Sequence, residues 1–212
     1  ANNSRPAYLW GSATNAPAVR GYQSISPNET VVTTYTVAYN GNGNTGGAIP
    51  TDASSPYAAG STVTVLGPNT LVRTGYSFAG WNTAANGSGT SYATAATFTI
   101  AANTALFAQW TINTYTLTYT AGANGTITGT SPQTVNHGAN GTAVTAVPHT
   151  GYHFVSWSDG VLTASRTSTN VTANLAVTAN FAINTYTLTY TAGANGTITG
   201  TSPQTVNHGA NG

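Results

Sequence analysis

The chain has 212 residues, of which only 3% are charged, and its formal net charge is +1. Its four Arg are scattered and Lys is absent, so it offers no basic patch for nucleic acid or for an anionic lipid surface. It also lacks Cys, which excludes disulfides, a thiolate nucleophile and cysteine-based metal sites, and no apolar run is long enough to insert into a membrane.

Residues 1–33 are predicted to form a leader or linker arm. The stretch from Gly11 to Pro27 is rich in Gly, Ser, Ala and Pro, a composition typical of linkers and turns. The preceding Tyr8-Leu9-Trp10 is apolar. Two interpretations stay open: the tail of an upstream domain, or an arm that adds a strand to the sheet edge of a neighbouring subunit.

The remainder of the chain is a tandem repeat. The 30 residues from Ile112 to Gly141 recur letter for letter from Ile183 to Gly212. A weaker copy precedes them, because the RTGYSFAGW of residues 73–81 matches the HTGYHFVSW of residues 149–157. Since such periods mark tandem structural units, we predict a first repeat at 34–111, a second repeat at 112–182 and a truncated third copy at 183–212.

Hydrophobic alternation predicts strands in every repeat. Tyr115, Leu117 and Tyr119 alternate with Thr, which gives one apolar face and one Thr face. Asn124-Gly125 then predicts a tight hairpin turn, because both residues tolerate positive φ. No segment has helical periodicity, so we expect a mainly β protein with little or no helix, built of small modules joined as a string. Further strands are predicted at residues 62–66, 76–81, 97–100, 105–110, 142–147, 152–157 and 175–181.

The aromatic residues of the second repeat predict its core. We expect Tyr152, Phe154 and Phe181 to pack against the first strand of that repeat. Trp157 is expected to cap one end of the core, where its N–H can find a partner. The short connection Ile112–Thr114 predicts that neighbouring repeats are held at limited angles, as a semi-rigid string.

These patterns resemble the bacterial surface-protein repeats of the internalin B-repeat type, also called Listeria–Bacteroides repeats. The first repeat carries the pattern in RTGYSFAGWNTAANGSGTSYA and in the closing LFAQW, while the second resembles the divergent form through TAGANGTITG, HTGYHFVSWSDG and VTANF. The resemblance implies a compact β-grasp-like module, found in tandem in secreted or wall-anchored proteins, with no catalytic residues to transfer. The structural repeat motif comprises Gly75, Tyr76, Phe78, Trp81 and Trp110 in the first repeat and Gly151, Tyr152, Phe154, Trp157 and Phe181 in the second.

One group of polar side chains in the second repeat has the chemistry of a catalytic triad or of a zinc site, namely His149, His153, Asp159 and either Ser156 or Ser158. In an extended strand, however, residues 149 and 153 lie on one face but about 13 Å apart. The first repeat has Arg73 and Ser77 at these positions, so the fold does not need His there. We therefore predict a protein that is not an enzyme, with no catalytic residue, metal or cofactor.

Six positions fit the N-glycosylation pattern N-x-S/T. At Asn124, Asn140 and Asn195 an Asn-Gly turn already demands Asn and a strand Thr follows, so turn chemistry is the favoured explanation. His137 and His208, which are one residue in two copies, fall in a predicted turn of the same kind. Glycosylation is the second interpretation, and it concerns Asn28, Asn86, Asn124, Asn140, Asn170 and Asn195.

The sequence leaves two functions open. The first is a structural or adhesive repeat segment of an extracellular bacterial surface protein, acting as a stalk or fibre. Its partners would be neighbouring modules or identical subunits, and strand complementation between subunits would build a filament. The alternative is a module that binds a surface glycan or a host protein through exposed Tyr or Trp. An exposed aromatic cluster on a complete repeat would favour the alternative.

Overall fold

A computed structural model describes residues 32–212, and residues 34–212 form one compact unit. Most of the predicted leader, with Asn28 and Tyr8-Leu9-Trp10, lies outside the described residues. No helix occurs among residues 32–212, so this part of the chain contains none that could cross a membrane. The prediction of a mainly β protein is confirmed.

The described residues contain seventeen strands. They are β1 (Thr34–Tyr35), β2 (Val37–Asn40), β3 (Tyr57–Ala58), β4 (Thr62–Thr64), β5 (Tyr76–Asn82), β6 (Ser91–Tyr92), β7 (Thr97–Thr99), β8 (Thr104–Ile112), β9 (Thr114–Ala121), β10 (Gly125–Thr128), β11 (Gln133–Asn136), β12 (Val144–Pro148), β13 (Tyr152–Trp157), β14 (Ser165–Arg166), β15 (Leu175–Ile183), β16 (Thr185–Leu188) and β17 (Gln204–Asn207).

The first repeat is built on a four-stranded sheet in the order β2-β8-β5-β6. Its strands β2 and β8 run parallel, whereas β5 is antiparallel to β8. A separate pair, β4 and β7, contributes Val63 and the adjoining Ile100 to the same buried cluster. The core therefore joins both sheets, and it consists of Val37, Val63, Val65, Leu71, Trp81, Ile100, Leu106 and Ala108.

The second repeat has the same plan with a more regular sheet. Its strands lie in the order β11-β9-β15-β13, with β9 and β15 parallel at the centre. Counted along the chain this is the order 2-1-4-3, with the first and last of the four strands parallel at the centre of the sheet. A three-stranded sheet, β10-β12-β14, supplies Val144 and Ala146 to the core. The core cluster is Leu117, Tyr119, Val144, Ala146, Trp157, Val171, Val177 and Ala179.

The third copy repeats the first part of the second repeat. Strands β16 and β17 pair in the register of β9 and β11, since Thr185 faces Asn207 as Thr114 faces Asn136. Ser202 also bonds both the N–H and the C=O of Tyr190, as Ser131 does with Tyr119. These contacts recur with the identical sequence, although β16 ends at Leu188 and residues 196–199 form no strand that corresponds to β10.

The alternation of the first strand behaves as predicted. In β9 the side chains of Leu117 and Tyr119 are buried, whereas Thr116 and Thr120 are exposed. Strand β13 has the predicted bounds, and β15 runs two residues beyond the predicted end at residue 181.

The predicted hairpin at Asn124-Gly125 is wrong. Asn124 does have a positive φ of 69°, so the chain turns there. However, the strands on either side enter different sheets, because β9 pairs with β11 and β15 while β10 pairs with β12. An Asn-Gly turn fixes a reversal of direction, and tertiary packing decides which strands then pair.

Gly125 allows a matched test of this packing. A Cβ on Gly125 would overlap the ring of Phe181, whereas its copy Gly196 has only Gly193 O within 4 Å, at 3.8 Å. Neither glycine has a positive φ. We expect Gly125→Ala to destabilise the second repeat by about 1–3 kcal/mol through overpacking. Native-state hydrogen exchange at the amides of β13 and β15 measures the loss.

Gly196→Ala is the control for this substitution, and we expect it to change stability by less than about 0.5 kcal/mol. Equal effects of the two substitutions would contradict the packing of β10 against β15.

Candidate functional sites: the repeat motif and the joints between repeats

A β-bulge sets the direction of the motif aromatics. In β5 the register with β8 shifts between Phe78 and Gly80, and in β13 the register with β15 shifts between Phe154 and Ser156. Residues three apart point to opposite faces of a regular strand. Because the bulge adds one residue, the Trp of the G-Y-x-F-x-x-W motif faces the core together with the Phe.

Trp81 and Trp157 occupy the centres of the two cores. They are 0% and 1% exposed, so the expectation that Trp157 caps an end is wrong. An end position was expected so that the indole N–H could find a partner, but the bulge directs the ring into the core. The indole N–H still finds a partner, because Trp81 Nε1 donates to Leu66 O at 2.9 Å and Trp157 Nε1 donates to Thr163 O at 3.1 Å.

The other motif aromatics surround the two tryptophans. The Phe78 ring packs edge-on against Trp110, its partner across β5 and β8, with centroids 5.7 Å apart. Phe154 and Phe181 form the equivalent pair at 6.1 Å. The first strand adds Tyr39 to Trp81 and Tyr119 to Trp157, both edge-on. Tyr76 and Tyr152 begin their strands and are half-buried.

The Asn of the first repeat's G-W-N sequence closes the loop that follows it. Asn82 is fully buried, and its Oδ1 accepts hydrogen bonds from the N–H groups of Ala84 and Gly89. Its Nδ2 donates to Gly87 O, Gly89 O and Ser91 Oγ. The second repeat has Ser158 here, which instead bonds the backbone of Thr178.

The second repeat carries an ion pair over its aromatic core. Arg166 forms a bidentate pair with Asp159 at 2.9 and 2.8 Å, and its guanidinium lies 5.2 Å from the Trp157 ring centroid. The hydrogen bonds from Arg166 lower the pKa of Asp159 below its usual value. The position of the guanidinium near the Trp157 ring, held by Asp159, is typical of an ion pair with a structural role.

The structure does not assemble the polar group that the sequence offered as a triad or a zinc site. The carboxylate of Asp159 binds Arg166, and His153 Nδ1 bonds the Oδ1 of Asn184 at 2.9 Å. Among residues 32–212, no three His, Asp or Glu side chains gather as metal ligands would.

Single residues join the repeats. Asn113 alone separates β8 from β9, and its N–H donates to Gly75 O of the first repeat at 2.9 Å while its C=O accepts from His137 N of the second at 2.8 Å. Its Oδ1 also accepts from Ser77 Oγ at 2.7 Å. Asn184 forms the second joint in the same way, between Gly151 O and His208 N.

The described sequon residues are all exposed. Asn124, Asn170 and Asn195 have positive φ values of 69°, 48° and 65°, which supports the explanation from turn chemistry. Asn140 Oδ1 accepts a hydrogen bond from the N–H of Asn170, and Asn86 Oδ1 accepts two from Ser88. Glycosylation stays a prediction.

Sequence reasoning did not identify Asn82 or the joint residues Asn113 and His137. The G-W-N pattern was a signal for the first, because Asn is suited to binding backbone N–H groups two residues ahead. The recurrence of Asn before the first strand of the second repeat and of the third copy was a signal for the joint residues. The neighbours of both residues could be found only from the three-dimensional arrangement.

Asn82 and Asn86 provide a matched pair in one loop. We expect Asn82→Ala to destabilise the first repeat by about 2–3 kcal/mol, because the loop loses the buried amide that binds the N–H groups of Ala84 and Gly89. Asn86→Ala removes only exposed bonds to Ser88 and should cost less than about 1 kcal/mol. Urea denaturation followed by tryptophan fluorescence of Trp81 and Trp110 measures both, and equal losses would contradict the assigned role.

Two similar proteins come from Evansella cellulosilytica. Their provisional names describe both as membrane proteins and the second as Gly-rich. The first is 36% identical over 110 residues, which is 49% of this chain and 16% of that protein. The second is 33% identical over 133 residues, which is 58% of this chain and 15% of that protein. The match thus spans about one sixth of each relative. No solved structure matches the chain.

Family comparison confirms the resemblance carried by the repeat motif. Residues 35–109 match the Listeria–Bacteroides repeat domain. Residues 115–185 and 186–212 match the divergent InlB B-repeat domain. The chain therefore belongs to the Listeria–Bacteroides and divergent InlB B-repeat families.

Proposed function

We propose that this chain is a structural segment of an extracellular bacterial surface protein, in which B-repeats joined end to end act as a stalk. The observation that carries the proposal is the one-residue joint, which occurs twice with the same hydrogen bonds, at Asn113 and at Asn184. A joint without a flexible linker limits the relative motion of its neighbours, as a stalk requires. The division into repeats at residues 111 and 182 is part of this proposal, and the two separate core clusters support it.

The burial of aromatic side chains favours the stalk over the binding module. Every aromatic residue between 34 and 182 is buried or half-buried, so neither complete repeat offers an open Tyr or Trp platform for a glycan. The family carries no catalytic set, and Asp159 and His153 of the second repeat take structural bonds, which supports a role without catalysis.

Family membership and the relatives support a surface location. B-repeats are typical of bacterial surface proteins, and the two Evansella proteins are named as membrane proteins. Because this chain matches only 16% and 15% of those proteins, it is proposed as one repeat segment of a larger architecture of that kind.

The stalk is tested by adding repeats. We expect the maximum dimension in small-angle X-ray scattering to rise by a constant increment for each extra copy of residues 112–182 inserted after residue 182. A compact assembly would instead follow the roughly 0.38 power of chain length. The increment should be the same in low and high salt, because only 3% of residues are charged and screening has little to act on. Growth that follows the compact power law would refute the stalk.

Assembly with identical subunits is a second proposal, and it rests on strand β16. In the second repeat β9 lies between β11 and β15, whereas among residues 32–212 the identical β16 pairs with β17 alone. Tyr190 is 48% exposed although its copy Tyr119 is 4% exposed. The strand that covers this edge comes either from the remainder of a third repeat or from another subunit by strand addition, and the proposal is the second case, with Tyr8-Leu9-Trp10 of the leader as the candidate segment.

Substitutions at Thr187 test whether another subunit adds a strand to β16. Its copy Thr116 directs its N–H toward the β15 side, where it donates to Asn174 Oδ1 at 2.9 Å. We expect Thr187→Pro to abolish filaments seen by electron microscopy at high concentration, because Pro removes a donor on the open edge. Thr187→Ala, which keeps the N–H, should leave them intact. If the unaltered chain is exclusively monomeric at high concentration, self-assembly is excluded.

A further inference from the structure

The two joints share a contact that the hydrogen bonds alone do not reveal. The His137 ring lies against the backbone of Gly75 so closely that a Cβ on this glycine would overlap it, and His208 lies in the same way against Gly151. Both glycines belong to a T-G-Y turn in which the N–H of the Tyr bonds the C=O three residues before it. Their φ values of 77° and 84° also favour Gly, so the turn and the neighbouring ring impose the same residue.

The incoming histidine is held in position by its own repeat. The hydroxyl of Tyr115 and Nδ1 of His137 are 3.3 Å apart, and the rings lie at 5.9 Å. In the third copy Tyr186 and His208 repeat this pair at 3.4 and 6.0 Å. The downstream repeat itself therefore fixes the position of the His ring that packs on the upstream turn.

The residues that flank the two turns differ, yet the joint is the same. In the first joint Ser77 Oγ donates to Asn113 Oδ1, and in the second His153 Nδ1 lies 2.9 Å from Asn184 Oδ1. The invariant elements are the Gly of the upstream turn and the Asn and His of the downstream repeat. The first turn belongs to a Listeria–Bacteroides repeat and the second to a divergent repeat, so both kinds supply the upstream half.

We propose that the T-G-Y turn of each repeat is a docking seat whose occupant is the Asn–His pair of a following divergent B-repeat, and that this contact fixes the angle between the repeats. The first repeat lacks both side chains of this pair, because it has Thr33 before its first strand and Ala59 before the glycine that corresponds to Gly138. A divergent repeat can then follow either kind, but a repeat of the first kind cannot follow through this joint. The inference deepens the proposed stalk function and rests on it for its biological meaning.

The absence of Cys makes the joints measurable in the full chain. Spin labels at Ala101→Cys and Leu162→Cys report on the first joint, and labels at Leu162→Cys and Thr201→Cys report on the second, through distance distributions from double electron–electron resonance. All three positions are exposed. We expect narrow distributions across both joints in the otherwise unaltered chain.

His137→Ala and His208→Ala are controls for each other, because they make the same change in identical sequence contexts. We expect His137→Ala to broaden the first distribution at least twofold and to leave the second unchanged, and His208→Ala to do the reverse. Unchanged widths in both variants, or broad distributions before any substitution, would overturn the proposal. Asn113→Ala gives an independent test at the first joint should His137→Ala unfold the second repeat, which near-ultraviolet circular dichroism detects.

The order rule, that a repeat of the first kind cannot follow another repeat through this joint, has its own test. In a chain with an extra copy of residues 33–112 inserted after Ile112, labels at Ala101→Cys in both copies span a joint between two repeats of the first kind. We expect a distribution at least twice as broad as at the native first joint, and an equally narrow one would overturn the rule. The stalk can survive this failure, because scattering dimensions still grow with loose joints. Conversely, narrow distance distributions across the joints together with a maximum dimension that grows as in a compact assembly would refute the stalk but leave the docking contact standing.

Discussion

The burial of one tryptophan in each repeat is the constraint on which the rest of the structure depends. Trp81 and Trp157 are almost completely buried, and each indole N–H needs an acceptor inside the core. A regular strand cannot direct both this Trp and the Phe three residues earlier to one face. The β-bulge between them resolves the conflict, and its presence at the same place in both repeats explains why the G-Y-x-F-x-x-W spacing persists while the residues between change.

Burial of the tryptophan also links the motif to the ends of each repeat. The tyrosine of the first strand packs on the indole, and the strand that contains the bulge pairs with the last strand, which runs parallel to the first. The last strand therefore ends beside the T-G-Y turn, because Tyr76 faces Ile112 and Tyr152 faces Ile183. The chain leaves each repeat next to its own turn, and one Asn is then enough to begin the next repeat against that turn.

The sequence predicted what depends on local periodicity. Alternation of Tyr, Leu and Thr gave β9 its correct faces, and the repeated letters indicated where the structure would recur. It failed where a partner lies far along the chain. The turn at Asn124 was placed correctly, but β9 pairs with β15 more than fifty residues later, and no local pattern specifies that choice. Trp157 was misplaced because the sequence does not reveal that Thr163 O offers its N–H an acceptor inside the core. The contact of His137 with Gly75 joins two repeats and has no local signature.

Scarcity of charge has a structural counterpart in the way polar groups are used. Buried amides bind backbone rather than ions: Asn82 closes one loop, and Gln133 bonds Thr130 O, Thr142 O and Thr142 N. The joints use the same chemistry through Asn113 and Asn184. Both joint residues of the downstream half, the Asn and the His, lie within the 30 residues that are copied letter for letter. The glycine seat lies in the other half of the repeat. Duplication of a complete 112–182 unit therefore adds one Asn–His pair and one seat, which lets the array lengthen without a new kind of contact.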